Sequence, residues 1–367
     1  MVRRVAGQFL FAALFAIACS SSSSTADTTP PTDPGSADED VALPGDDVPA
    51  VDDVDREVPA EDVPVTLDVP ADTAPQLSPE CAALTPSSSA INTLTVDGVA
   101  RRFLLSVPTG ATGPGGKWPL IFLWHGFVGA ATPGNQEGSE VNYFHNQILG
   151  PAVNDSRMPF LLVTPFADGS ALLDWNIMPN DIHQPNPDVD LFDAVLACLD
   201  AKYGVDPDHI HSVGFSAGGI LTDLIGIMRG DRMASLLTWS GAYLGDPANF
   251  DETFPIYWPD PVASSGYVQV AFHGGVTDQW SAAGMFTAHF NVWNENDLAW
   301  LNGLGHDVIL CPHTQGHTPP SDGYPPAYII DFFKAHPRGT TTSPFAAGLP
   351  SSLPAYCVYH AKTAATN

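Results

Sequence analysis

The sequence predicts an α/β fold: a mostly parallel sheet carrying helices on both faces, in a single domain that follows a long acidic leader. Short continuous apolar runs such as Pro119-Leu120-Ile121-Phe122-Leu123-Trp124 are what a strand covered on both faces requires. These runs alternate with stretches whose apolar residues recur at helical spacing, the pattern of a sheet built from strand-helix-strand units. The third observation is Gly214-Phe215-Ser216-Ala217-Gly218, where the run Ile210 to Phe215 meets a helical pattern beginning at Ala217. Small neighbours let a serine sit there on a sharp strand-to-helix turn, because they remove the clashes that so strained a backbone would suffer.

The chain begins with a short basic head, Arg3 and Arg4, an apolar run from Phe9 to Ile17 and a small-residue end, Ala16-Ile17-Ala18-Cys19. The run is too short to span a bilayer as a mature helix and reads as an export signal. It resembles a bacterial lipoprotein signal, which implies that Cys19 is the lipid acceptor and the first mature residue, with Ser20 to Ser24 as tether. The protein would then be anchored at the cell envelope. An ordinary secretory signal cleaved near Ala18 is the alternative. Residues 20–80 mix Ser, Asp, Pro and Val with recurring units at Asp47-Val48-Pro49, Asp62-Val63-Pro64 and Asp68-Val69-Pro70. Prolines and like charges oppose a core there and predict an extended, solvated stalk.

The formal net charge is −28, and the stalk holds 16 of the 41 acidic residues. Residues 81–367 keep the other 25 against 10 basic groups, so they carry −15 of their own. A domain of that sign with no basic cluster repels phosphate backbones, which excludes nucleic acid as a partner and makes anionic polymers poor ones. Cys81, Cys198, Cys311 and Cys357 are an even number in an exported chain, consistent with two disulfides of unspecified pairing. No two lie close enough to form a short zinc-ligand pair.

In chain order, Ala100 to Val107 alternates as a strand, and Pro119 to Trp124 ends in His125-Gly126-Phe127. Phe160 to Pro165 is a third strand. Val189, Phe192, Val195, Leu196 and Leu199 mark a helix between Asp188 and Tyr203. After the serine, Ile220, Leu221, Leu224, Ile225 and Met228 form the core face of the next helix, which Gly230 suits as an end. Strands are expected at Ser235 to Trp239, Tyr267 to Phe272 and His306 to Leu310, with a long aromatic helix within Ala282 to Leu301. Tyr328 to Phe333 is the last regular element, closing a domain of residues 81–337. Residues 338–367 form an unpatterned tail that Cys357 can staple back.

A serine hydroxyl needs a histidine to take its proton, and the histidine needs a carboxylate to hold its tautomer. On the α/β-hydrolase fold the acid follows the serine and the histidine follows the acid, each on a loop at a strand's carboxyl end. The loop His273-Gly274-Gly275-Val276-Thr277-Asp278 presents Asp278 as the acid; helix capping is its other use. Asp297 and Asp307 are read as surface charges. His317 is the base, with His313 as the alternative, and no metal or other cofactor is required. The amides of Ala217 and Phe127 are the expected oxyanion donors, with His125 structural.

The segments Arg101-Arg102-Phe103-Leu104-Leu105-Ser106-Val107-Pro108, Pro119 to Gly126, Asp188-Val189-Asp190-Leu191-Phe192 and Val205 to Gly219 resemble the exported polyhydroxybutyrate depolymerase and feruloyl or acetylxylan esterase group of α/β-hydrolases. The resemblance covers roughly Cys81 to Pro337. It implies a serine esterase acting on a polyester or on acyl esters of plant polysaccharide; a monomer is expected. Here the acid loop is one residue longer than that group's His-Gly-x-x-Asp pattern, and Thr318 replaces the aromatic residue after the histidine. Substrate selection should fall to residues 127–158, 167–186 and 243–266, with Trp175, Trp258 and Trp280 able to stack on a ring. The competing readings are a prolyl-oligopeptidase-type peptidase and a non-catalytic surface-binding lipoprotein.

Overall fold

The apolar runs become strands because both of their faces can be covered. The computed structural model describes residues 77–110, 113–129, 137–169, 171, 173–177, 185–242, 266–282, 286–320, 327–340 and 342–363. The chain divides into the units Met1–Asp68 and Val69–Asn367, and the described residues all belong to the second. The expected signal with Cys19, and the stalk up to residue 76, lie outside the described residues.

The strands are β1 (Ser87–Val96), β2 (Val99–Ser106), β3 (Trp118–Trp124), β4 (Leu161–Pro165), β5 (Val205–Phe215), β6 (Ser235–Trp239), β7 (Val268–His273), β8 (Gln279–Ala282), β9 (Phe286–His289), β10 (Asp307–Pro312) and β11 (Val358–His360). Nine form one sheet in the order β1-β2-β4-β3-β5-β6-β7-β10-β11, and β8 pairs with β9 as a separate ribbon. From β4 through β10 all neighbours are parallel. Only β1/β2, β2/β4 and β10/β11 run antiparallel within that sheet.

All of β3 is buried. Its alternate side chains point to opposite faces. In chain order the first helices are α1 (Pro79–Ala83), α2 (Glu137–Tyr143), α3 (Pro187–Tyr203) and α4 (Ala217–Met228); Leu120, Phe122 and Trp124 enter one apolar cluster together with α3 and α4, whereas Ile121 and Leu123 enter a second cluster. The helix Ala327–Ala335 packs in that second cluster, so helices cover both faces. The first cluster also takes Phe290 and Leu301 from the helix Phe290–Gly303. Each large side chain fully buried in this way contributes about 1.5–3 kcal/mol. Helix α3 starts where Asn186 accepts the amides of Asp188 and Val189, and it stops at Gly204, whose φ is 73°.

Two disulfides are present, Cys81–Cys198 and Cys311–Cys357. No helix of the described residues is long and apolar enough to cross a membrane.

Three stretches of secondary structure and two aspartates depart from the expectation. Strand β1 is Ser- and Thr-rich, yet Asn92, Leu94 and Val96 alternate inward and pair it to β2. The long helix within Ala282 to Leu301 begins only at Phe290, because Gln279–Ala282 and Phe286–His289 pair instead, with Ser281 and Thr287 hydroxyls 2.9 Å apart across the ribbon. Beyond Pro337, β11 adds a strand to β10, and the tail is held further by Asp307, which accepts the amides of Ser343 and Lys362 at 2.9 Å. Asp307 is therefore a buried anchor and not a surface charge. Burial is the largest influence and raises its pKa, but those two amides, a hydrogen bond from Tyr359 and the charge of Lys362 together outweigh it and hold the carboxyl below its usual range. Asp297 is buried as well, against Asp223 of α4.

Candidate active site

Ser216 joins β5 to α4 with φ 54° and ψ −121°, in the left-handed region that side chains other than glycine avoid. Such a conformation costs on the order of 1–3 kcal/mol and persists only where its surroundings impose it. Here the Ser216 amide donates to Trp239 O at 2.9 Å. A Cβ on Gly214 would sit 2.0 Å from Gly218 O, and one on Gly218 would sit 2.4 Å from the carbonyls of Trp124 and His125. Both glycines are thus dictated by close backbone approach.

The loops after β7 and β10 meet beside this turn. Gly274 allows it, since a Cβ there would lie 1.9 Å from Gly316 O. The His313 amide donates to His273 O at 2.8 Å, and that of Gly316 to Gly274 O at 3.2 Å. The result is a continuous line: His317 Nε2 lies 2.9 Å from Ser216 Oγ, and its Nδ1 lies 2.7 Å from Asp278 Oδ1. Asp278 is fully buried, and its other oxygen accepts the Gly274 amide at 2.6 Å. It does not N-cap a helix: strand β8 follows it directly, and His289 occupies the N-cap of the helix after the ribbon. The rings of Phe215 and Phe290 lie against His317 with centroids 5.0 and 4.6 Å away.

His313 stays out of this line. Its Nδ1 accepts the Gln315 amide at 3.2 Å and its ring faces Tyr356. His125 is fully buried, its carbonyl accepting the indole N–H of Trp175 at 2.9 Å. Trp175 is accordingly a core residue. Trp280, half-buried, meets Phe127 edge-on at 5.4 Å, and Trp258 lies outside the described residues.

Phe127 follows β3, and Ala217 opens α4. On either side of Phe127 the amides are taken: Gly126 donates to Glu140 Oε1 at 3.0 Å, while Val128 and Gly129 donate to Asp174 Oδ2 at 2.7 and 3.0 Å. Burial raises the pKa of Glu140; His125 and the Gly126 amide oppose the rise, and Asp174 adds to it. Glu140, Asp174 and Phe290 are the site residues that sequence reasoning passes over. None stands in a motif, and only Asp174, directly before Trp175, adjoins a residue singled out from the sequence. Among the described residues no cluster of His, Cys, Asp and Glu is arranged to hold a metal ion.

No protein-family model matches the chain. A curated relative, "Putative esterase NocK" of Nocardia uniformis subsp. tsuyamanensis, is 28% identical over 165 residues, which is 44% of this chain and 44% of the relative. The match thus spans less than half of either protein. Among solved structures, native sOPH superposes with a TM-score of 0.57 at 18% identity, covering 76% of this chain and 95% of that one. Native pOPH gives 0.56 at 15% identity, covering 77% and 96%. At such identities the likeness speaks for the fold alone. Strand order, parallel core and the turn at Ser216 together are those of the α/β-hydrolase fold.

Proposed function

We propose that this α/β-hydrolase-fold chain is a serine esterase that forms an acyl-enzyme on Ser216. The observation that carries the reading is the hydrogen-bonded line Ser216–His317–Asp278 on a strained turn. Asp278 Oδ1 accepts a hydrogen bond from the Nδ1–H of His317, which fixes the tautomer and leaves Nε2 to accept the proton of the serine hydroxyl. Ser216 Oγ then attacks the ester carbonyl carbon, and the amides of Ala217 and Phe127 receive the oxyanion. His317 returns the proton to the departing alcohol. Water repeats the cycle in reverse and frees the acid.

The likeness to NocK, described as an esterase, supports ester over amide bonds. Two disulfides support an exported protein, and Cys19 is proposed as its lipid anchor. The substrate class proposed is a polyester such as polyhydroxybutyrate, or feruloyl and acetyl esters of plant polysaccharide. The test is labelling of the full chain with a fluorophosphonate, together with turnover of p-nitrophenyl acetate, acetylxylan, methyl ferulate and oligomeric hydroxybutyrate. Ser216→Ala should abolish labelling and lower kcat by about 10⁴-fold or more. Turnover that survives this substitution sinks the reading.

A further inference from the structure

Two carboxylates hold the loop after β3, one on each side of Phe127 in the chain, and no chemical step proposed above uses either of them. Glu140 belongs to the short helix Glu137–Tyr143, and its Oε1 accepts the Gly126 amide at 3.0 Å. Asp174 is 1% exposed, and its Oδ2 accepts the two successive amides of Val128 and Gly129.

Asp174 is itself held at a cost. Its φ is 68°, a left-handed conformation in a residue that is not glycine. The segment around it is pinned residue by residue. Trp175 donates to His125 O at 2.9 Å, and the Asn176 amide donates to Asp188 Oδ2 at 2.5 Å. Asp188 is paired in turn with the buried Arg101. A polar side chain so strained and so firmly supported reports a demand on its position.

The demand follows from the backbone. With the amides at 126, 128 and 129 each fixed on a carboxylate, the peptide between Gly126 and Phe127 has little freedom to rotate, and the Phe127 N–H keeps one direction. We infer that Glu140 and Asp174 are positioning residues that fix the oxyanion-hole amide of Phe127 toward Ser216. The inference rests on the esterase reading. Charge does not explain the pair, because negative groups near a developing oxyanion oppose it; geometry does, since oxyanion stabilisation depends on donors placed beforehand.

The experiment compares Asp174→Gly, Asp174→Asn and Glu140→Ala in the full chain. Glycine accepts the left-handed backbone but removes the carboxylate, while asparagine tolerates that backbone and retains an acceptor oxygen. With p-nitrophenyl acetate, Asp174→Gly should lower kcat by about 10²-fold with KM changed by less than about twofold, the loss expected for a misplaced donor. Inhibition by a trifluoromethyl ketone, whose serine adduct carries an oxyanion, should weaken by a similar factor. Asp174→Asn should recover most of the loss. Glu140→Ala, on a half-buried side chain, should lower kcat by about tenfold on the same argument; if Asp174→Gly does not fold, this variant decides alone. Folded variants with kcat and ketone inhibition within about twofold of wild type overturn the inference. Wild-type turnover indifferent to Ser216→Ala would instead remove the esterase reading, and this inference with it.

Discussion

The ring of Phe290 is stacked on His317, with centroids 4.6 Å apart and planes 16° from parallel. The same residue's amide donates to Asp278 O at 3.0 Å. One side chain and its own backbone therefore touch both proposed partners of Ser216. Phe290→Leu keeps the amide and most of the volume but loses the stacked face, so kcat should fall by about tenfold through a looser imidazole, while the melting temperature changes little. An unchanged kcat would make the ring simple filling.

His317 and His313 are separated by their partners. His317→Ala should reduce kcat about 10⁴-fold, since the line from serine to carboxylate is broken. His313→Ala, which removes a ring bonded to the Gln315 amide, should stay within about tenfold of wild type. Steady-state rates for the two variants check this, and the reverse order would reassign the base.

Asp297 faces Asp223, both are buried, and Tyr267, the residue before β7, adjoins the pair. Burial, the charge of Asp223 and a hydrogen bond between the two carboxyls push the pKa of Asp297 well above its usual value. The folded chain thus keeps a proton that the unfolded chain releases at an ordinary carboxylate pKa. Its stabilising contribution is complete in acid and is lost as pH rises through the folded pKa. Asp297→Asn supplies a permanent donor to Asp223. Its melting temperature should gain on wild type as pH increases from 5 to 9, and a constant difference across that series would refute the shared proton.

Cys311–Cys357 closes a span of 46 residues and holds β11 beside the strand that leads to His317. Replacing both cysteines by alanine should cost about 2–5 kcal/mol of stability, read by denaturant unfolding. Activity at low temperature should persist, because β10 remains paired to β7.

The parallel strands and the turn at Ser216 were legible because their causes are local: unbroken apolar runs, and glycines forced by close backbone approach. Asp278 and His317 could be read from chain order and strand ends. The hidden part is tertiary. The environment of Asp297 depends on an aspartate in another helix, and Glu140 and Asp174 take their meaning from amides far away in the chain. Gln279 to His289 carries aromatics that suit a helix, yet Ser281 and Thr287 find each other across a ribbon.

That ribbon leaves the chain at Asp278 and returns at Phe290, so both of its roots are clamped to one imidazole. Residues 279–282 and 286–289 are in this sense an excursion whose two ends report to the same histidine, so a change in the ribbon's pairing is felt at His317 from both sides at once.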